Sequence, residues 1–288
     1  MPVRPLVVEF TKMNGAGNDF VVLDNRFYAF SEDQLGRLAA WLCPRRTAVG
    51  ADGLLALDPG DDDADFRMRY RNADGSRGTM CGNGARCLAR FARSAGFDRD
   101  RLVFDTDAGR YIADVPEAHA APVRLHVPPP RNHRGLTVEG CDLRAIWTGT
   151  EHVVAFVDDV QAFPLATLGP AIRNAAALAP NGANVNAAEV LDDGRGCGSR
   201  LRVRTYEKGV EAETDACGTG AMAAALAARL TGRVVASPVA VEMPGGVLTV
   251  GFDVSEGNAA EAVRGLTLEG PAVVAFRGTV ELDTRMFG

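Results

Sequence analysis

Two stretches of this chain repeat one another, and the repeat restricts the fold more than any other feature. The first runs FRMRYRNADGSRGTMCGNGARCLARFARSAG from Phe66, the second LRVRTYEKGVEAETDACGTGAMAAALAARLTG from Leu201. Each opens on alternation, Phe66/Met68/Tyr70 and Leu201/Val203/Thr205 with arginines between, which predicts a half-buried strand. A polar loop follows, then Cys-Gly-x-Gly, then a proline-free run rich in Ala, Leu and Arg that predicts a helix. Upstream, NDFVVLD from Asn18 and HVVAFVD from His152 precede Cys81 and Cys217 by 63 and 65 positions, and the two cysteines stand 136 apart. Matching order and spacing of three features points to a duplicated half, and so to two similar domains.

The domains are expected as residues 1–128, carrying Cys81, and 129–275, carrying Cys217, with Pro128-Pro129-Pro130 and the RNHRG after it as a linker. Short β-rich segments (VVEFTKM, DFVVLDN, RLVFDT, VRLHV, HVVAFV, VAVEM, AVVAF) outnumber helical ones, so the class is α+β with few helices per half. The chain has 288 residues and a net charge of −6, which argues against general binding to nucleic acid or anionic membrane. No apolar run nears the roughly 20 residues that span a bilayer, and the N-terminus lacks a signal-peptide core, so a cytoplasmic location is expected.

Six cysteines occur, with no CxxC pair and no close cysteine–histidine spacing, so neither a structural metal nor a disulfide framework is expected. Cys43, Cys87, Cys141 and Cys197 read as core residues. Cys81 and Cys217 differ because each precedes Gly-x-Gly at a helix start. Unpaired N–H groups and the positive helix end stabilise a thiolate there, and the same N–H groups can hold a carboxylate. Two such sites suit stereoinversion, in which one group removes a proton from one face of a carbon and a second returns one to the other. Gly218-x-Gly220-x-x-Ala223 also fits a loose dinucleotide fingerprint, but no apolar strand or βαβ unit frames it.

At these residues the sequence resembles the diaminopimelate epimerase family. The resemblance rests on TKMNGAGNDFVVLDN from Thr11, GADG from Gly50, NADGS from Asn72, MCGNGARC from Met80, ANVN from Ala183, YEKGVEAET from Tyr206 and ACGTGA from Ala216. It implies two pseudosymmetric α+β domains, each a β-sheet wrapped around a central helix, with residues 276–288 returning to the first and the site between them. It implies Cys81 and Cys217 as the acid/base pair, with no cofactor and no metal. Asn18, Asn72, Asn184, Glu207 and Lys208 match substrate-contacting positions, and the N–H groups of Gly82, Asn83, Gly218 and Thr219 would hold the α-carboxylate. His152 and Glu207 match residues that tune the thiols. The substrate would be a small amino acid, the reaction LL-2,6-diaminopimelate to the meso form, the assembly a homodimer, and the glycine-rich segment at Gly15 and Gly17 a lid.

Four positions depart from the family pattern. Lys208 stands where many members have Arg, Gly53 for Gln, Thr150 for Asn and Glu151 for Pro. All four bear on the substrate side, so a racemase of another amino acid, such as histidine or O-ureidoserine, is the alternative. A thiol redox switch or binding protein without turnover is a further one.

Overall fold

Alternating apolar residues become strands, and each half of the chain winds its strands around one helix. The computed structural model describes residues 6–61, 63–191, 200–255 and 260–282. Two compact units result, residues 1–125 with 270–288, and residues 126–269.

In the first unit the strands run Val273–Leu282, Leu6–Gly15, Asn18–Asp24, Gly53–Pro59, Phe66–Asn72, Arg101–Thr106 and Gly109–Asp114 across the sheet. Pairing is antiparallel except between Asn18–Asp24 and Gly53–Pro59 and between Phe66–Asn72 and Arg101–Thr106. The first of these parallel crossovers carries two helices. Helix α1 (Asn25–Tyr28) is a single turn capped by Asp24. Helix α2 (Glu32–Leu42) starts from a capping box in which Ser31 and Gln34 satisfy each other's backbone N–H groups. Helix α2 buries Leu35, Leu38, Ala39 and Leu42 against Val21, Leu54 and Ala56. The second crossover carries α3 (Gly82–Ser94), the central helix, which packs on the strands at Leu6–Gly15, Asn18–Asp24, Gly53–Pro59 and Phe66–Asn72.

The second unit has the same plan. Its strands run Arg131–Val138, Cys141–Trp147, Glu151–Phe156, Asn184–Leu191, Arg200–Glu207, Val239–Met243, Gly246–Val254 and Val263–Gly270. The parallel pairs recur at the matching steps, Glu151–Phe156 with Asn184–Leu191 and Arg200–Glu207 with Val239–Met243. Helix α4 (Leu165–Arg173) fills the first crossover, and α5 (Gly218–Leu230) fills the second as the central helix. Every residue of α5 from Gly220 to Ala228 is buried, and apart from Met222 and Leu226 all are Ala or Gly, small side chains that let the surrounding strands pack closely on an enclosed helix.

Sequence expectation and structure diverge at two places, RNHRG and Cys141. RNHRG lies within the strand Arg131–Val138, largely exposed and paired antiparallel with Cys141–Trp147. The Gly15 segment, expected as a lid, forms the tip of a hairpin, Gly15 pairing with Asn18 across Ala16 and Gly17, both at positive φ. Cys43 and Cys87 are buried as read, but Cys141 is half-buried on its strand, and Cys197 lies outside the described residues.

Candidate active site

The two cysteines occupy the same position in their units. Cys81 is the N-cap of α3, with extended φ/ψ of −137° and 119°, and Cys217 is the N-cap of α5, at −127° and 102°. Each Sγ accepts from the backbone N–H three residues on, Gly84 at 3.5 Å and Gly220 at 3.4 Å. Cysteine replaces the usual Ser or Asp of an N-cap, so the sulfur faces the positive end of a helix of 13 residues. The first N–H groups of such a helix have no acceptor within it, which leaves those of Gly82, Asn83, Gly218 and Thr219 aimed at the space before each cap. Thr219 Oγ1 is also 3.4 Å from Cys217 Sγ, and Thr148 Oγ1 donates to the Thr219 carbonyl at 2.8 Å.

The floors beneath the two helix starts differ, and pairing register makes the comparison exact in kind. In the first unit Phe20 lies beside Gly53, Gly53 beside Asn72, and Leu55 beside Tyr70. In the second unit His152 lies beside Asn184, and Asn186 beside Thr205. A Cβ on Gly84 would meet Leu55 and Phe20, whereas one on Gly220 would collide with Asn186 Oδ1 and press on Thr205 Oγ1. One thiol therefore stands over an apolar floor, where Phe20 and Tyr70 meet edge to face at 6.3 Å, and the other over a polar one.

Asn186 organises that polar floor. It is fully buried, donates to the Val153 carbonyl at 2.9 Å and to His152 Nδ1 at 3.2 Å, and accepts from Thr205 Oγ1 at 2.9 Å. The ring of His152 also lies 3.4 Å from the Asn184 amide through Nε2. A neutral imidazole accepts at one nitrogen only, and the shorter contact assigns that bond to Asn186. His152 is 1% exposed, and burial, reinforced by the charge of Lys208 and opposed by Glu151, pulls its pKa down to about 3. The ring is a neutral hydrogen-bonding group at physiological pH.

The sign of that shift gives a prediction. Below about pH 6.5 the unfolded chain binds a proton on this imidazole and the folded chain does not, so stability falls with pH until the folded value is reached. We expect a loss of about 2 kcal/mol from this group between about pH 7 and pH 5, at about 1.4 kcal/mol per pH unit below 6.5. Urea titrations of the wild type and of His152→Gln at both pH values check it: the variant should lose measurably less.

The remaining expected residues fall into two clusters, one per unit. In the first, Asn83 Nδ2 donates to Asn18 Oδ1 at 2.6 Å, and Asn18 Nδ2 donates to Asp52 Oδ2 at 3.1 Å. Arg86 Nη2 donates to Asn83 Oδ1 at 2.7 Å. This chain of amides fixes both asparagines. Arg86 is 0% exposed, and its burial lowers its pKa to about 10. Asn72 instead closes its own turn, donating to Ser76 Oγ at 2.9 Å. Gly53, next to Asn72, has no room for a side chain, since a Cβ would lie 2.6 Å from the Arg71 carbonyl.

In the second cluster, buried Asn184 ties two segments together. Its Oδ1 accepts from the Lys208 N–H at 2.7 Å, and its Nδ2 donates to the Glu151 carbonyl at 3.2 Å. Lys208 Nζ meets Glu151 Oε2 at 2.7 Å. Glu207 accepts from Thr214 Oγ1 at 2.8 Å, and burial outweighs that bond and raises its pKa. The roles of Arg86 and Asn186 were missed in the sequence. Each lay inside a quoted motif, but a strong helix former and a strand asparagine gave no sign of their partners.

Solved structures define the class. A PhzF-family phenazine biosynthesis protein from Bacillus anthracis superposes with a TM-score of 0.74, covering 96% of this chain and 99% of that one at 14% identity. A hydroxyproline epimerase from Agrobacterium vitis gives 0.65, covering 96% and 93% at 16% identity. The fold is thus the two-unit one these proteins share. Sequence comparison narrows it. The diaminopimelate epimerase profile matches residues 10–127 and 144–269. The diaminopimelate epimerase of Chlorobaculum tepidum is 40% identical over 94% of this chain and all of its own length. That of Aquifex aeolicus is 38% identical over 85% and 90%. The chain belongs to the diaminopimelate epimerase family and is an isomerase.

Proposed function

We propose that the protein epimerises LL-2,6-diaminopimelate to meso-diaminopimelate without a cofactor, with Cys81 and Cys217 as a thiol/thiolate acid–base pair. The observation that carries the reading is the placement of both cysteines as N-caps of equivalent central helices. Inverting a carbon requires one group to take a proton and another to give one. A thiol can do either, so the reaction runs in both directions. The α-proton of an amino acid is weakly acidic, and a gap of ten pKa units to a thiol corresponds to about 14 kcal/mol. The stabilisation comes from helix N-termini and N–H donors around the α-carboxylate, which act most strongly where water is excluded. His152 and Glu207 tune the second helix's surroundings, the first as a neutral ring, the second as a carboxyl with a raised pKa. Asn18, Asn72, Asn184 and Lys208 complete the substrate contacts.

The reaction places the enzyme in lysine and peptidoglycan precursor synthesis, in the cytoplasm. No helix among the described residues is long and apolar enough to cross a membrane, in keeping with that location. We also propose a homodimer. The strand Val273–Leu282 exposes Val273, Val274 and Phe276, apolar surface suited to a second copy. Chromatographic separation of the isomers after incubating reduced protein with LL-diaminopimelate tests the function. Meso product is expected. Its absence with LL-diaminopimelate, and turnover of a different amino acid, would overturn the substrate assignment.

A further inference from the structure

Lys208 is already occupied. Its Nζ is paired with Glu151, a residue that departs from the family pattern, and the carboxylate is held from three sides. Lys208 donates at 2.7 Å and Thr150 Oγ1 at 3.2 Å to Oε2, and Asn181 Nδ2 donates at 2.9 Å to Oε1. Burial pushes the Glu151 carboxyl up, but the bonds from Lys208, its own backbone and Asn181 bring it down to about 2, so it is ionised. Asn184 fixes the backbone of both partners at once. The side chains are 24% and 37% exposed, and an ion pair so open to water adds little to stability. Glu151 and Asn181 also border a cavity of about 380 Å³, which leaves room for a ligand group beside the carboxylate.

A solitary lysine would accept any carboxylate. A lysine already paired presents no net charge, and a bare carboxylate that docks there leaves two anions sharing one cation. A ligand end carrying both carboxylate and ammonium avoids that conflict, because its ammonium takes the place of Lys208 at Glu151. Each charge then keeps a partner throughout. We propose that the Glu151–Lys208 pair reads a zwitterionic ligand end, its carboxylate on Lys208 and its ammonium on Glu151, and so sets specificity at the far end of the substrate. The inference rests on the amino-acid epimerase reading above.

The test compares kcat/KM for LL-diaminopimelate and for L-2-aminopimelate, which has the same length and both carboxylates but no distal amino group. The wild type should prefer diaminopimelate. Glu151→Gln, of the same shape without the charge, should reduce that preference about tenfold, mainly through KM, while Glu151→Asp should retain most of it. An unchanged preference in Glu151→Gln, or a wild type that does not discriminate, overturns the inference and leaves the epimerase reading intact. A wild type that turns over neither compound overturns the epimerase reading and this inference with it.

Discussion

Replacing Cys81 or Cys217 by alanine should each lower kcat about 10³-fold or more, with little change in folding stability. A positioned acid or base contributes about 10²–10⁴ in rate, and stereoinversion needs both partners, so losing either one stops it. The thiol adds only a weak N-cap bond, at 3.5 Å in one helix and 3.4 Å in the other, so the helices should survive. Because both residues act in one step, the double variant should be scarcely worse than either single one. Steady-state turnover with isomer separation, set beside urea denaturation, checks all three. Full activity in either single variant would mean that its thiol is structural.

Asn186→Leu should produce the next largest effect, on stability and rate together. Leucine has asparagine's branching and number of side-chain heavy atoms, and it is the residue that fills the matching position, Leu55, in the first unit. The substitution would leave the Thr205 hydroxyl, the Val153 carbonyl and His152 Nδ1 without Asn186, all at a buried site. Burying such groups unpaired costs about 1–3 kcal/mol each, and partial relaxation makes about 2–4 kcal/mol the expected total. The helix start rests on this side chain through Gly220, so kcat should fall about a hundredfold as the thiol and N–H groups shift. Urea midpoints and turnover measure the two effects. A variant with wild-type turnover would show that the polar floor has no part in positioning Cys217.

Much of this arrangement was legible in the sequence because it repeats. The alternation at Phe66 and Leu201, followed by Cys-Gly-x-Gly and an apolar run, located both central strands and both central helices. Duplication then marked the two cysteines among six. Helix α2 was legible too, in Ser31 and Gln34 ahead of an apolar periodicity, but it lies outside the repeat that drew the reading. Helix α4 contains Pro170, which masks a helix from propensity. What the sequence withheld depends on pairing over distance. Glu151 and Lys208 are 57 positions apart, and Asn186 and Thr205 are 19. Strand register brings them together, and register is set by the whole sheet, not by neighbours in the chain. Arg86 belongs to the same class: a buried arginine is rare, and besides Asn83 and Gly82 on its own helix it reaches the Pro271 carbonyl, 185 positions away in the chain.

The central claim, that one group removes the proton and a different one returns it, is tested most directly by the fate of deuterium. Unlabelled LL-diaminopimelate is incubated with reduced protein in D₂O, and product and recovered substrate are separated in the first few per cent of reaction. Two thiols predict that the meso product carries deuterium at its inverted carbon, while the recovered LL substrate keeps its proton. Equal deuterium in both from the outset would mean that a single group works on both faces, and would contradict the account.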